Sequence, residues 1–389
     1  MQLIPTFSTL LSSILLAASL PTHIYAAPTT RNAPPHDLTS NTTHLFARVP
    51  PQQAPQQPPP AILLPLAIIG LDELYYTQLS IGTNPRPFNL VVDSGSQTFW
   101  VNDETQPNLG NKNSIGPHRS TTLRQLQPPR TWSTTYSDGG SVAGTVVFDN
   151  VNIRGAAILP NFPFGTGQRL TGLIGTVGED GMIGFGVGPS PHTGGLTLVE
   201  ALATAGLIPA AISGWKLPRH ADGGQGGELV LGGVNPASFV PPLTTVPADL
   251  TAGDYRFRID NVFVQRRQAI GARTGIIDCG ANEITMPVAD AAAFHTPITG
   301  AIPLSDGNFL IPCNSRAVVI FTIGGKGWPV RTSDLVGDAF THPQVPPGMC
   351  RSLVAAANTQ VVLVGSPFLK NVYHVLDRDG RSVSFAALR

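Results

Sequence analysis

The feature that most constrains the fold of this chain is a sequence pattern that occurs twice in the same order. An apolar run leads into an Asp-x-Gly tripeptide at Asp93 (LVVDSG) and again at Asp278 (IIDCG). Each copy is followed much later by two apolar residues and a glycine, which is Gly184 in the first copy and Gly365 in the second. The Asp-to-Gly spacings, 93 to 184 and 278 to 365, are about 91 and about 87 residues. This repetition predicts two lobes of similar plan, the simplest origin of which is duplication.

The local pattern along most of the chain is that of short strands. From Ile68 onward, apolar or β-branched runs of about four to eight residues alternate with turn-forming residues. Glycine (41) and proline (37) are abundant enough to supply many turns. The stretches around Leu196–Ala205 and Val288–Phe294 have the spacing of short helices. The sequence therefore predicts an all-β protein with a few short helices.

Length and charge exclude several classes of function. The 389 residues, 42% of them hydrophobic, are enough to bury two cores. Lys and Arg together number 24, as do Asp and Glu, so no basic field is available to bind a nucleic acid backbone or an anionic membrane surface. Beyond the N-terminal region, no apolar run approaches the about 18 residues that a membrane span needs. The sequence therefore predicts no nucleic acid partner and no membrane partner.

The N-terminal region is predicted to precede the folded lobes. Residues 1–26 contain an apolar run followed by small residues, as in a signal peptide. Residues 27–67 are rich in Pro, Gln, Asn and Thr, a composition that predicts a disordered linker or pro-segment. This segment contains a glycosylation sequon at Asn41. These features predict a secreted, extracellular protein with an N-terminal lobe at residues 68–250 and a C-terminal lobe at residues 251–389.

Asp-x-Gly alone is a weak signal, because the same pattern also occurs at Asp138 and Asp222. In the two repeat copies, however, an apolar strand runs straight into the Asp. The glycine two residues later, Gly95 or Gly280, allows the backbone to turn sharply. Such a turn would present each carboxylate at the end of a rigid strand. Taken singly, either Asp could instead cap a turn; a pair brought together could hold a catalytic water.

Other segments follow the two Asp-x-Gly copies in a recognisable order. Over residues 74–386 the chain resembles the pepsin-like aspartic proteases, in particular the secreted fungal type. The matching segments are YYTQLSIGT (75–83) leading to DSGS (93–96) and FWV (99–101), then TYSDGGS (135–141), DGMIGFG (180–186), GELVLGG (227–233) and VLDRD (375–379). The resemblance implies a bilobal double β-barrel with a central cleft between two pseudo-symmetric lobes.

The resemblance also implies roles for individual residues. Asp93 and Asp278 would form a dyad that shares one proton and activates a water for attack on a peptide bond, without a metal or other cofactor. Ser96 would hydrogen-bond Asp93. Tyr136 and Asp138 would belong to a flap that closes over the peptide, although Tyr136 could instead be a cross-strand packing aromatic. The implied protein is a monomeric aspartic endopeptidase that acts on protein or peptide substrates.

The three cysteines, Cys279, Cys313 and Cys350, allow one disulfide and one free thiol in an oxidising compartment. By the resemblance, Cys313 and Cys350 would form the disulfide of the second lobe. Cys279 and Ala281 follow Asp278 at positions where the family usually has hydroxyl residues. Ser366 stands where the family commonly has an Asp, so one carboxylate near the dyad is missing.

These departures leave a second function open. Because a thiol is a weak hydrogen-bond donor, Cys279 could hold the dyad less rigidly than a hydroxyl residue would. The alternative is a catalytically weak or inactive homologue that binds a peptide or a partner enzyme in the same cleft. Retention of both aspartates and of Tyr136 favours the enzyme. Serine hydrolases and zinc peptidases are disfavoured, because the sequence contains neither Gly-x-Ser-x-Gly nor His-Glu-x-x-His.

Overall fold

The computed structural model describes residues 59–389, apart from residues 138, 173 and 175–178. The described residues are mostly in strands, which confirms the predicted all-β class. The strands of the first half of the chain are β1 (Ile62–Ile69), β2 (Leu74–Ile81), β3 (Phe88–Asp93), β4 (Trp100–Asn102), β5 (Arg124–Gln125), β6 (Thr131–Thr135), β7 (Ser141–Ile153), β8 (Ala157–Gly167), β9 (Arg169–Thr171), β10 (Gly181–Gly184), β11 (Ile212–Lys216), β12 (Gly227–Leu231) and β13 (Phe239–Asp249).

The second half of the chain has the same character. Its strands are β14 (Arg256–Ile259), β15 (Asn261–Val264), β16 (Arg267–Ile270), β17 (Arg273–Ile277), β18 (Ile284–Pro287), β19 (Ile302–Pro303), β20 (Phe309–Pro312), β21 (Val319–Ile323), β22 (Lys326–Val330), β23 (Val336–Phe340), β24 (Met349–Ser352), β25 (Val354–Ala357), β26 (Val362–Val364), β27 (Val372–Asp377) and β28 (Ser382–Leu388).

Helices are short and few among the described residues. They are α1 (Leu198–Thr204), α2 (Val288–His295) and α3 (Ser366–Leu369), with single 3-10 turns at His220–Asp222, Pro236–Ser238 and Thr332–Leu335. The first two α-helices confirm the two that the sequence predicts. Within the described ranges, none of these helices has the length and apolar character that crossing a membrane requires.

The two lobes share one order of strand pairing. In the first lobe, β2 pairs antiparallel with β3, β3 parallel with β10, β10 antiparallel with β4, and β4 parallel with β8. The strand β8 then pairs with β7, which returns to β2 and closes the circuit. In the second lobe, β14–β17, β17–β26, β26–β18 and β18–β25 alternate in the same way between antiparallel and parallel. This shared order matches the repeat in the sequence.

A six-stranded antiparallel sheet joins the two halves of the chain. Its strand order is β1–β12–β11–β27–β28–β13, so β11 and β27 meet at its centre. At this seam Trp215 of β11 stacks on His374 of β27, with ring centroids 5.9 Å apart. Both side chains are fully buried. The buried face of this sheet thus continues the hydrophobic core from one half of the chain into the other.

The folded domain begins earlier than the sequence analysis predicts. Strand β1 starts at Ile62, inside the segment 27–67 that is predicted to be disordered. Ile62, Leu64 and Leu66 are buried on one face, and the strand pairs with β12 over its first five residues. This alternation outweighs the proline-rich composition, because burying one face of a strand stabilises it. The predicted boundary at residue 67 is therefore wrong. Residues 1–58, with the predicted signal peptide, lie outside the described residues.

Candidate active site

Asp93 and Asp278 occupy equivalent places in the two lobes. Asp93 is the last residue of β3, and Asp278 directly follows β17. A parallel neighbour supports each of them. The N–H of Phe185, just after β10, donates to Asp93 O at 2.7 Å, and the N–H of Asp278 donates to the carbonyl oxygen of Val364 in β26 at 3.1 Å. Each aspartate is therefore fixed at the point where a buried parallel strand pair ends and the chain turns.

The two Asp-x-Gly turns face each other, and their glycines leave room for the carboxylates. The N–H of Gly95 donates to Asp93 Oδ1 at 2.8 Å, and that of Gly280 donates to Asp278 Oδ1 at 2.9 Å. A Cβ atom on Gly95 would lie 2.6 Å from Asp278 Cγ, and one on Gly280 would lie 2.6 Å from Asp93 Oδ1. Each glycine thus lies against the carboxylate of the other lobe, which brings the two aspartates together.

This close packing changes the acidity of the pair. Burial, followed by the charge of Asp93 and a hydrogen bond to its side chain, raises the pKa of Asp278 well above the ordinary value. Backbone hydrogen bonds from Gly280 and Ala281 oppose this shift but do not reverse it. Two carboxylates that lie within hydrogen-bonding distance of each other do not both ionise readily, because like charges repel in a site of low dielectric. The arrangement therefore favours a pair that holds one proton.

Behind the carboxylates, Ser94 and Cys279 link the two turns. Ser94 Oγ accepts from the N–H of Cys279 at 2.8 Å and donates to Ile277 O at 3.3 Å. In the other direction, the Cys279 thiol donates to Val92 O at 3.4 Å. Burial raises the pKa of this thiol, which is fully enclosed. Cys279 is therefore a protonated, unreactive member of a reciprocal bridge between the lobes.

A hairpin of the first lobe carries Tyr136. Strands β6 and β7 pair antiparallel from Thr131↔Thr145 to Thr135↔Ser141. At the turn, the N–H of Tyr136 donates to Gly140 O at 2.8 Å. Trp100 Nε1 donates to the Tyr136 hydroxyl at 2.8 Å, which fixes the ring against β4. The predicted hairpin is thus present, and Tyr136 also packs against an apolar cluster. Asp138, the other predicted flap residue, lies outside the described residues.

The chain also matches known proteins over most of its length. The family model of eukaryotic aspartyl proteases matches residues 74–388. The chain belongs to the eukaryotic aspartyl protease family. Its relatives include rhizopuspepsin of Rhizopus chinensis, which is 30% identical over 83% of this chain and 80% of its own length. An aspartic-type endopeptidase, ctsD of Aspergillus fumigatus, is 28% identical over 82% of this chain and 66% of its own length. Syncephapepsin of Syncephalastrum racemosum is 28% identical over 83% and 80%.

One predicted support of the aspartyl protease dyad is not formed. Ser96 Oγ is buried and has no hydrogen-bond partner among the described residues, so the predicted bond from Ser96 to Asp93 is wrong. The residue acts through its backbone instead, because Ser96 O accepts from the N–H of Gly186 at 2.7 Å. Around the second carboxylate, Ala281 O accepts from the N–H of Ser366 at 2.8 Å. Ser366 thus lies directly behind the Asp278 turn, and it is the residue for which the resemblance implies an Asp.

The cysteines of this aspartyl protease are paired as the resemblance implies. Cys313 and Cys350 form a disulfide with Cα atoms 4.9 Å apart, joining the end of β20 to β24 in the second lobe. Cys279 is the remaining free cysteine. In the described part of the chain, no group of three or more His, Cys, Asp and Glu side chains is placed to hold a metal ion.

Two residues next to the aspartyl protease site have roles that the sequence pattern does not reveal. Trp100 was part of a matching segment but had no assigned role, although it fixes the Tyr136 hydroxyl. Ser94 was likewise unassigned, yet its hydroxyl holds the turn that follows Asp278. Both residues act on partners far away in the sequence. The signal that could have identified them is chemical: each is a hydrogen-bonding side chain next to a buried strand end.

Proposed function

We propose that this protein is an aspartic endopeptidase in which Asp93 and Asp278 form the catalytic dyad. One observation carries the proposal: each carboxylate lies against the glycine of the opposite Asp-x-Gly turn, within 2.6 Å of where a Cβ would be. No other pair of aspartates in the described residues is presented in this way by two equivalent strand ends. The named activity of the relatives, aspartic-type endopeptidase among them, supports the same assignment.

The chemistry follows from a shared proton. The ionised carboxylate would take a proton from a water as the water oxygen attacks the carbonyl carbon of the peptide bond. The protonated carboxylate would at the same time donate its proton to the carbonyl oxygen, giving a neutral diol. The carboxylate that took the water proton then gives it to the leaving nitrogen, while the other carboxylate takes back a proton from one diol hydroxyl. The C–N bond breaks, and a carboxylic acid, an amine and the singly protonated dyad remain. The raised pKa of Asp278 supports a protonated partner at acidic pH.

The hairpin of β6 and β7 is the proposed flap. Its turn, including Asp138, would cover the bound peptide and exclude bulk water while the diol forms. The bond from Trp100 to Tyr136 would position the aromatic ring at the base of this turn. A protein or peptide substrate suits such a covered cleft. The balance of 24 basic and 24 acidic residues supports the absence of a nucleic acid partner.

A secreted protein is part of the proposal. The Cys313–Cys350 disulfide supports an oxidising compartment, because such bonds are rare where thiols are kept reduced. The apolar run within residues 1–26 supports entry into the secretory pathway. A monomer is proposed, because the dyad takes one aspartate from each half of a single chain.

The test is cleavage of a denatured protein substrate by the matured enzyme between about pH 3 and pH 7, with and without a statine-type inhibitor. Asp93→Asn and Asp278→Asn are each expected to lose at least about a hundredfold in rate. Asp222→Asn is the matched control, because Asp222 starts another Asp-x-Gly and is half exposed beside Arg219. No cleavage by matured wild type, with inhibitor binding retained, would favour a homologue that only binds peptides.

A further inference from the structure

A short segment between β10 and α1, residues 188–197, lies between the catalytic turn of the first lobe and the flap; we refer to it as the bracket. Ser190 Oγ and Thr98 Oγ1 are 2.9 Å apart and hydrogen-bonded, and both side chains are buried. Thr98 lies just beyond the first Asp-x-Gly turn. Ser190 Oγ also accepts from the N–H groups of His192 and Thr193 at 3.3 and 3.2 Å. One end of the bracket is therefore anchored to the catalytic turn.

From this anchor, His192 reaches the flap. Its Nε2 is 3.3 Å from Thr134 Oγ1 in β6. The backbone of Ser133 lies near enough to the ring to influence the pKa of His192. Close by, Gly194 leaves room for Arg130, since a Cβ on Gly194 would lie 3.0 Å from Arg130 Nη1. Arg130 directly precedes β6. The bracket thus contacts the flap at the base of its first strand and again near its turn.

The contact is made on the outer edge of the flap hairpin. Backbone groups of successive strand residues point to opposite edges. The N–H of Tyr136 bonds Gly140 O across the hairpin, so the backbone of Ser133, three residues earlier, points away from β7. The described pairings give β6 no partner strand other than β7. His192 therefore occupies an edge where a further strand would otherwise bond.

We propose that His192 is a positioning residue of the peptidase, an imidazole latch that fastens the outer strand of the flap to the catalytic turn through Ser190. The latch acts three residues before the proposed flap turn begins, so it sets how far Tyr136 stands from the dyad. The proposal for His192 rests on the proposed function of the protein only where it concerns catalysis. Its effect on the mobility of the flap is independent of that function.

The chemistry of the ring suits this task over a wide range of pH. A neutral imidazole donates from one nitrogen and accepts at the other, so it can bond the Ser133 carbonyl and the Thr134 hydroxyl together. A protonated ring donates from both nitrogens, and both partners can still accept. Burial lowers the pKa of His192, while the nearby backbone of Ser133 opposes this shift. Arg130, which precedes β6, places a charged group beside the same part of the bracket, at Gly194.

The first measurement is hydrogen–deuterium exchange of the matured, unliganded protein, followed over residues 131–145. His192→Ala and Thr134→Val are each expected to speed exchange of the flap amides about three- to tenfold, the effect of losing one or two hydrogen bonds. His118→Ala is the matched control, because His118 is 91% exposed and bonds Glu104 away from the flap. Wild-type exchange rates in His192→Ala would overturn the proposal, whether or not the enzyme cleaves peptides.

Steady-state kinetics then separate a latch from a merely structural residue. With the active-site concentration fixed by titration with a tight inhibitor, His192→Ala is expected to raise KM about three- to tenfold with little change in kcat, because a misplaced flap weakens substrate binding. His192→Gln, which keeps a donor and an acceptor, is expected to recover part of the loss. The double variant with Thr134→Val is expected to be no worse than His192→Ala alone. The latch would be contradicted if His192→Ala lowered only the concentration of active enzyme and left KM unchanged. It would also be contradicted if the effects of His192→Ala and Thr134→Val on KM were strictly additive in the double variant.

Discussion

The turns that carry Asp93 and Asp278 share a pattern of backbone hydrogen bonds but differ in side-chain chemistry. In the first lobe the turn reads Asp-Ser-Gly-Ser from Asp93, and in the second it reads Asp-Cys-Gly-Ala from Asp278. Each follows the inner strand of a parallel pair, and each has a glycine N–H that bonds its own carboxylate at 2.8 or 2.9 Å. The supports differ, since Ser94 offers a hydroxyl where Cys279 offers a thiol. Strand pairing thus fixes the carboxylates, while the supporting side chains can change.

The two lobes also differ around these turns. The first lobe carries the hairpin of β6 and β7, which Trp100 contacts at Tyr136 and His192 contacts at Thr134. In the second lobe, the turn after Asp278 is contacted by Ser366, whose N–H donates to the carbonyl oxygen of Ala281. The first lobe therefore contributes the hairpin that we propose as the flap, and the second contributes Asp278, whose pKa is raised by burial. The symmetry of the strands does not extend to the roles of the lobes.

The largest effect is expected at the Asp-x-Gly turn, the feature that the two lobes share. Gly95→Ala and Gly280→Ala would each place a Cβ 2.6 Å from an atom of the opposite carboxylate. Because displacing a catalytic group by about 1 Å can cost a hundredfold, each variant is expected to lose at least about a hundredfold in kcat/KM. Gly271→Ala is the control, since its Cβ would approach other atoms no closer than 4.0 Å. A large loss in one variant alone would show that the turns are not equivalent.

A smaller effect is expected at the seam of the central sheet, where the first half of the chain supplies Trp215 and the second supplies His374. Burial lowers the pKa of His374 to about 3, and neither ring nitrogen has a partner among the described residues. Between about pH 6.5 and pH 3 the unfolded chain binds a proton at this residue that the folded chain does not. Falling pH therefore destabilises the fold, by about 1.4 kcal/mol per pH unit.

His374→Phe removes this proton uptake while keeping a ring against Trp215. The free energy of unfolding of the variant is expected to fall less between pH 6.5 and pH 5, by about 2 kcal/mol, than that of wild type. Denaturant titrations at the two pH values measure this difference. His220→Phe, at an exposed position, is the control. If the stability of His374→Phe and of wild type depended on pH in the same way, the pH dependence could not be assigned to His374.

Features that depend on neighbouring residues could be predicted from the sequence, and those that depend on distant partners could not. The turns at Asp93 and Asp278 combine an apolar run with a nearby glycine, so residues adjacent in the sequence determine their conformation. The bond predicted for Ser96 depended on a side-chain direction that the pattern does not contain. The contact of His192 with β6 joins residues 58 apart in sequence. Strand β1 was missed in part because proline-rich composition concealed an alternation of buried and exposed residues.

The smallest expected effect concerns the unequal bridge between the turns. Ser94→Ala would leave the buried N–H of Cys279 without its acceptor, and it is expected to destabilise the protein by about 1–3 kcal/mol. Cys279→Ala removes only a weak thiol donor and some packing, so about 1 kcal/mol is expected. Cys279→Ser supplies a stronger donor to Val92 O and is expected to stay close to wild type. Denaturant unfolding at pH 6 measures the free energy of unfolding of all three variants. A larger loss of stability in Cys279→Ala than in Ser94→Ala would contradict this prediction. It would show that packing of the Cys279 side chain stabilises the contact between the lobes more than the Ser94 hydrogen bond does.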